Sequence, residues 1–272
     1  MHPRTIDLGD GRRVRALDEG DGRPIVLLHG WPTNANAWGR QLTGLPGHRV
    51  LALDLPGFGL SPPPAEPTIA ELARTVRDVL AHEGIDDAVL VGWSMGGCVV
   101  LAYCERFGTE RLRGIGIVDV SPRLLPGPGW AHGEGTPFSG EGLETWRAGW
   151  LADPRAVATD VYTIGIADLD RHAREREWLV EESLKASREP AIALLLDAFR
   201  ADYRAVLPAI DVPALLLYGA HSTSTTPWVR AYTERELPDA EAVVFERSSH
   251  CPMLEETAAF NAALDAFARR AG

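Results

Sequence analysis

Cysteine is scarce in this 272-residue chain, with three residues, Cys98, Cys104 and Cys251, and no Cys-x-x-Cys pair. So few, and an odd number, exclude a disulfide framework and a thiolate metal site. A reducing cytoplasm fits best, with all three expected as small buried residues. The eight histidines include no His-Glu-x-x-His, which leaves a zinc hydrolase without support; neither a metal nor a cofactor is expected. Positive charge is also short, 27 Lys and Arg against 38 Asp and Glu, for a formal net charge of −11. That balance argues against nucleic acid or an anionic membrane surface as the main partner. No apolar run approaches transmembrane length, Met1–Asp10 lacks a signal-peptide pattern, and there is no internal repeat or low-complexity tail. What is present is 45% hydrophobic and 24% charged, ordinary for a globular protein of one large domain or a domain with an insertion. A small-molecule substrate is the expected partner, and a homodimer is compatible with the chain.

The apolar segments alternate in period. Arg4–Asp7 and Arg12–Asp18 read as a hairpin around Gly9-Asp10-Gly11, and Pro24–His29, Arg49–Leu53, Ala88–Gly92 and Leu112–Val118 as strands. Between them, Thr68–Glu83 predicts a helix with Ile69, Leu72, Ala73, Val76, Val79 and Leu80 on one stripe and Gly84 as its stop. Pro62-Pro63-Pro64 with Pro67 reads as a stiff surface loop. The alternation predicts an α/β fold, a parallel sheet covered by helices on both faces. From Ser121 to Gly142 the chain turns rich in Pro and Gly, and Leu143–Val206 has helical stretches but no convincing strand. Strand pattern resumes at Pro213–Tyr218 and Ala242–Glu246, and Ala258–Arg270 closes as a helix. We therefore expect a core of residues 1–121 and 206–272 carrying a helical cap of 122–205. Trp130, Trp146, Trp150 and Trp178 lie in that cap, either lining an apolar pocket or gluing cap to core.

One segment carries chemistry. The apolar run Ala88–Val91 meets Gly92-Trp93-Ser94-Met95-Gly96, and a helix-forming stretch from Cys98 to Phe107 follows. Strand, serine, helix is the context of a nucleophile elbow, whose sharp turn demands near-absent side chains two positions either side of Ser94. A serine hydroxyl needs a base within hydrogen-bond reach. His250 follows the last predicted strand and precedes the terminal helix, at the sheet edge that also carries Ser94. An oxyanion needs donors. The Met95 amide at the start of the elbow helix is one, and the Trp31 amide, in the loop His29-Gly30-Trp31-Pro32, is the chosen second. His29 itself is expected to hold that loop by hydrogen bonds.

His29-Gly30-Trp31, Asp54-Leu55-Pro56-Gly57-Phe58-Gly59-Leu60-Ser61, Gly92-Trp93-Ser94-Met95-Gly96-Gly97 and Ser249-His250-x-Pro252 together resemble the α/β-hydrolase superfamily. The resemblance covers both core segments. It implies a mostly parallel eight-stranded sheet, a helical cap after the sixth strand and a Ser/acid/His triad, with Asp54 at a generally structural position. It does not fix a substrate, because the superfamily hosts many chemistries.

The resemblance also exposes a gap. The acid of such proteins usually follows the seventh strand in a Gly-x-x-Asp-x-x-x-Pro type of loop, but here Gly219-Ala220-His221-Ser222-Thr223-Ser224-Thr225-Thr226-Pro227 contains no carboxylate. Serine cannot supply the charge that stabilises a histidinium. Asp119, at the end of the strand after the elbow helix, is the best substitute; certain lactonases and cofactor-independent dioxygenases of the superfamily place their acid there. Asp202, Asp211 and Glu246 are weaker options. The expected activity is a cofactor-free serine esterase or lactonase with Ser94, His250 and Asp119 as catalytic residues, Trp31 and Met95 as oxyanion donors, and Trp93, Trp130, Trp146 and Trp150 as pocket candidates. The same serine and histidine serve two alternatives, a non-hydrolytic reaction such as oxygenation, perhydrolysis or cyclisation, and a binding protein that lost its acid.

Overall fold

Strands buried on both faces must be largely apolar, and, Arg23, His48, Arg49 and Arg113 aside, so are the five central strands. These are β3 (Arg23–Leu28), β4 (His48–Leu53), β5 (Ala88–Trp93), β6 (Leu112–Val118) and β7 (Ala214–Gly219), of which β5, β6 and β7 are buried at every residue. With β1 (His2–Asp7), β2 (Arg13–Glu19) and β8 (Ala240–Phe245) they form an eight-stranded sheet in the order β1-β2-β4-β3-β5-β6-β7-β8. Only the β1–β2 and β2–β4 pairings are antiparallel. The computed structural model describes residues 2–131 and 141–271. The middle of the Pro- and Gly-rich stretch read from Ser121 to Gly142, residues 132–140, lies outside the described residues.

Strand limits differ from the sequence reading by a residue or two at most. The largest differences are two residues, at β1, which begins at His2 rather than Arg4, and at β8, which begins at Ala240 rather than Ala242. The latter is an edge strand with much of its surface exposed, so an apolar run does not mark its start, whereas pairing of Ala240 with Ala214 does. Helix α2 (Ile69–His82) is capped by Thr68, whose side chain accepts from the Glu71 N–H, and every residue of its predicted stripe is buried.

Because the parallel strands all run the same way, the loops after β3, β5, β6, β7 and β8 gather at one edge of the sheet. Helix α3 (Met95–Phe107) leaves that edge after β5. Between β6 and β7 the described residues form four α-helices, α4 (Glu141–Ala152), α5 (Pro154–Gly165), α6 (Ala173–Ser183) and α7 (Arg188–Arg200). The base of this helical insertion is closed where the chain leaves and returns. Arg123 bridges Asp202, and the Tyr203 N–H donates to Pro122 O at 2.8 Å. The insertion also touches the sheet-edge loops, as the Ser187 N–H donates to Gly57 O at 2.8 Å. Helices α8 (Pro227–Glu236), the short α9 (Pro252–Glu255) and α10 (Thr257–Arg270) complete the chain, with α1 (Gly39–Gly44) near the start. None of the described helices is long and apolar enough to cross a membrane.

Candidate active site

Ser94 occupies a turn that few L-residues accept, with φ 53° and ψ −119°. The turn is tight enough to exclude side chains around it. A methyl group on Gly92 would stand 2.1 Å from Gly96 O, and one on Gly96 would stand 2.4 Å from Leu28 O, both backbone atoms that cannot swing away. The Ser94 N–H is held by Val118 O at 2.9 Å, and Ser94 O receives the Gly97 N–H at 2.8 Å. The serine thus sits at the N-cap of α3, partly exposed, with Met95 as the first helical residue. A first-turn N–H has no acceptor within its own helix, so the Met95 amide is available to an acceptor outside it.

His250 and Asp119 meet. His250 Nδ1 lies 2.7 Å from Asp119 Oδ2, although the two are 131 residues apart. Asp119 is wholly buried and also has a positive φ, 48°. Among the described residues only Ser94, Arg111 and Asp119 are non-glycine positions of this kind, so two of the three lie at this site. The remaining acceptor capacity of Asp119 is used by the loop after β7. Ser222 Oγ donates to Oδ2, and Thr225 Oγ1 donates to Oδ1 at 2.6 Å. Ser222, standing where such proteins usually carry an acid, therefore donates to the carboxylate of Asp119. The base loop is joined to the elbow by Trp93, whose indole N–H donates to His250 O at 2.7 Å and whose ring lies 5.6 Å from the imidazole.

The oxyanion-loop residues are pressed against the elbow. A Cβ on Gly30 would stand 3.1 Å from Ser94 Cβ and 3.0 Å from the Trp93 ring, so a larger residue would press on both side chains. His29 ties the loop down. Its Nε2 accepts the Leu55 N–H at 3.0 Å, so the proton sits on Nδ1, which donates to Gly30 O at 3.0 Å. Burial holds the His29 pKa down at about 4, which keeps this neutral tautomer in place. Asp54 braces the neighbouring turn, accepting from Arg15, the Ala35 N–H and the Leu60 N–H.

The structure divides the tryptophans. Trp31, Trp146 and Trp150 form one cluster, with the Trp31 ring 4.7 Å from Trp150 and 5.9 Å from Trp146. The indoles of Trp31 and Trp150 donate to Ala191 O and Arg188 O of α7, fixing the oxyanion loop against the insertion. Trp146 alone of the three is partly exposed. Trp130 does not join them: it is buried against Trp228 and Tyr232 of α8, and its indole donates to Arg123 O, so packing accounts for it. Trp93 is buried beneath the His250 loop rather than standing as a free wall. Trp178, 37% exposed, lines a groove of about 520 Å³ with Arg40 and Leu254.

None of the weaker acids reaches His250. Asp202 is occupied by Arg123 and Arg204, Asp211 by Thr109, and Glu246 is exposed beyond β8. All three cysteines are buried and unpaired, and burial raises their thiols, Cys98 and Cys104 to about 12. Among the described residues no group of His, Cys, Asp and Glu is arranged to hold a metal ion.

Sequence reasoning missed three contributors. Ser222 was visible as a gap but not as a donor, Trp93 not as an anchor of the base loop, and Glu255 not at all. Glu255 accepts the N–H groups on both sides of His250, from Ser249 at 2.9 Å and Cys251 at 3.3 Å.

A profile described as "Alpha/beta hydrolase family" matches residues 25–263. The chain belongs to the alpha/beta hydrolase family. This alpha/beta hydrolase is similar to a pimeloyl-[acyl-carrier protein] methyl ester esterase of Chromobacterium violaceum, 31% identical over 257 residues that cover 90% of this chain and 94% of that protein. It is 29% identical over 256 residues to the AB hydrolase superfamily protein YisY of Bacillus subtilis, covering 92% of this chain and 93% of that one. Among solved structures, an esterase from Exiguobacterium antarcticum matches with a TM-score of 0.90 over 97% of this chain and 98% of its own, at 24% identity, a likeness of fold.

Proposed function

We propose that this alpha/beta hydrolase is a carboxylic ester hydrolase that cleaves an ester, lactone or thioester of a small to medium apolar substrate through an acyl-enzyme on Ser94. The observation that carries the reading is the 2.7 Å contact of His250 Nδ1 with the buried Asp119 carboxylate, on a loop hooked by Trp93 to the serine's own turn. In this arrangement Asp119 fixes the imidazole with its proton on Nδ1, so Nε2 is the basic nitrogen. Ser94 Oγ attacks the substrate carbonyl carbon while Nε2 takes its proton. The carbonyl oxygen becomes an oxyanion received by the Met95 and Trp31 amides. The intermediate collapses, His250 returns the proton to the leaving oxygen or sulfur, and the acyl group stays on Ser94. Water, activated by the same nitrogen, then releases the carboxylic acid and restores the serine.

The relatives support the reaction class, since that of Chromobacterium violaceum is named for hydrolysis of a methyl ester. The insertion acts as a cap over the site, and Trp31, Trp146 and Trp150 supply its apolar wall. No step requires a group beyond the chain and water. Ser94→Ala tests the reading: turnover of p-nitrophenyl acetate falls by about a thousandfold or more. Wild-type turnover in the purified variant would overturn it.

A further inference from the structure

The peptide groups around His250 are all held, and by different parts of the molecule. The His250 N–H donates to Gly165 O at 2.9 Å, at the end of α5 in the insertion, and His250 O receives the Trp93 indole. The N–H groups on either side go to one carboxylate, as Glu255 Oε2 accepts from Ser249 at 2.9 Å and Cys251 at 3.3 Å. The other oxygen of that carboxylate, Oε1, accepts the Ala167 N–H at 2.7 Å, two residues past Gly165. Glu255 is only 7% exposed. A carboxylate so buried is tolerable only with donors to meet it, and here three backbone N–H groups do so. Glu255 itself stands on α9, whose first residue, Pro252, follows directly on Cys251.

We propose that Glu255 is a positioning residue for the base: its carboxylate clamps Ser249 and Cys251 and ties them to Ala167 of the insertion, so that the imidazole of His250 is held between Asp119 and Ser94. The proposal rests on the ester-hydrolase reading for its kinetic consequence, but its structural content is independent of turnover. Removing the carboxylate leaves the Ser249 and Cys251 N–H groups without their acceptor and frees the loop to shift. A displacement of about 1 Å at a catalytic group costs up to roughly a hundredfold in rate. Glu255 bonds only backbone N–H groups of Ser249, Cys251 and Ala167, so the loss is expected on kcat rather than KM.

The test uses the full chain with Glu255→Ala and Glu255→Gln, read in two ways. Steady-state hydrolysis of p-nitrophenyl acetate separates kcat from KM. The indole N–H cross-peak of Trp93, assigned by its loss in Trp93→Phe, reports the hydrogen bond to His250 O without any turnover. Glu255→Ala is expected to lower kcat by about ten- to a hundredfold with KM within about threefold of wild type, and to move the Trp93 cross-peak. Glu255→Gln, with one oxygen left to accept, falls between. Should Glu255→Ala fail to fold, Glu255→Gln carries both readings. A folded variant with wild-type kcat, a loss confined to KM, or an unmoved Trp93 cross-peak overturns the proposal. A wild-type protein with no esterase activity, but with a Trp93 cross-peak that shifts in Glu255→Ala, would overturn the ester-hydrolase reading and leave the clamp standing.

Discussion

Asp119 Oδ2 and His250 Nδ1 are 2.7 Å apart, and the carboxylate that makes this contact directly follows β6 rather than β7. In the proposed mechanism this relation sets the tautomer of His250, and so whether Nε2 can take a proton. Asp119→Asn keeps the shape but can present an amide N–H to Nδ1, which favours the opposite tautomer. We expect kcat for p-nitrophenyl acetate to fall by about a thousand- to ten-thousandfold with little change in KM. Near-normal turnover would assign the role to another acid.

The two hydroxyls that complete Asp119 are expected to be separable from the acid itself. Thr225 is wholly buried and bonds Oδ1, so Thr225→Val removes a hydrogen bond to a charged group and should cost about 1.5–3 kcal/mol in urea denaturation. Ser222→Ala, which frees the oxygen facing His250, should lower kcat by about tenfold. Equal stability and kcat in both variants would mean that the loop after β7 does not support the carboxylate.

Much of this was legible beforehand, for reasons specific to each feature. The elbow showed because its glycines are a steric necessity: a Cβ on Gly92 or Gly96 would stand 2.1 or 2.4 Å from a backbone oxygen, and such a demand is written in residue identity. The central strands showed because both faces are buried, and α2 because its stripe and Thr68 cap follow helical spacing. The start of β8 did not, since an exposed edge strand needs no apolar run. The tryptophans could not be sorted either. Trp130 and Trp150 are both buried aromatics of the same chain segment, and only tertiary packing sends one to α8 and the other to Trp31. Glu255 escaped because its partners are backbone N–H groups, which carry no residue identity.

Gly96→Ala probes the elbow directly. Its new methyl group would overlap Leu28 O, so either β3 or α3 must shift. A destabilisation of about 2–3 kcal/mol is expected in thermal or urea unfolding, with loss of esterase activity. Wild-type stability would show that the turn has room the geometry does not display.

His29 gives a pH dependence with a defined sign. In the unfolded chain it takes a proton below its ordinary value of 6.5, whereas in the folded protein burial delays this to about 4. Between those values the unfolded state binds more protons, so stability is fully present above pH 6.5 and falls as pH drops towards 4. The whole difference is about 3 kcal/mol. Urea unfolding across this range should show the slope in wild type and a flatter one in His29→Gln; parallel curves would contradict it.

Trp146, the partly exposed member of its cluster, is the ring of the proposed substrate wall to truncate. Trp146→Ala should raise kcat/KM for p-nitrophenyl hexanoate relative to the acetate by about tenfold. An unchanged chain-length profile would remove this ring from the substrate wall.

The account turns on Ser94 as a nucleophile made reactive by His250. Its most direct test is the site and rate of covalent labelling by a fluorophosphonate, followed by intact-mass and peptide mass spectrometry in wild type and in His250→Ala. The account predicts one adduct per chain, on the peptide containing Ser94, forming far more slowly without the imidazole. No adduct, an adduct on another residue, or equal rates in the two proteins would contradict it.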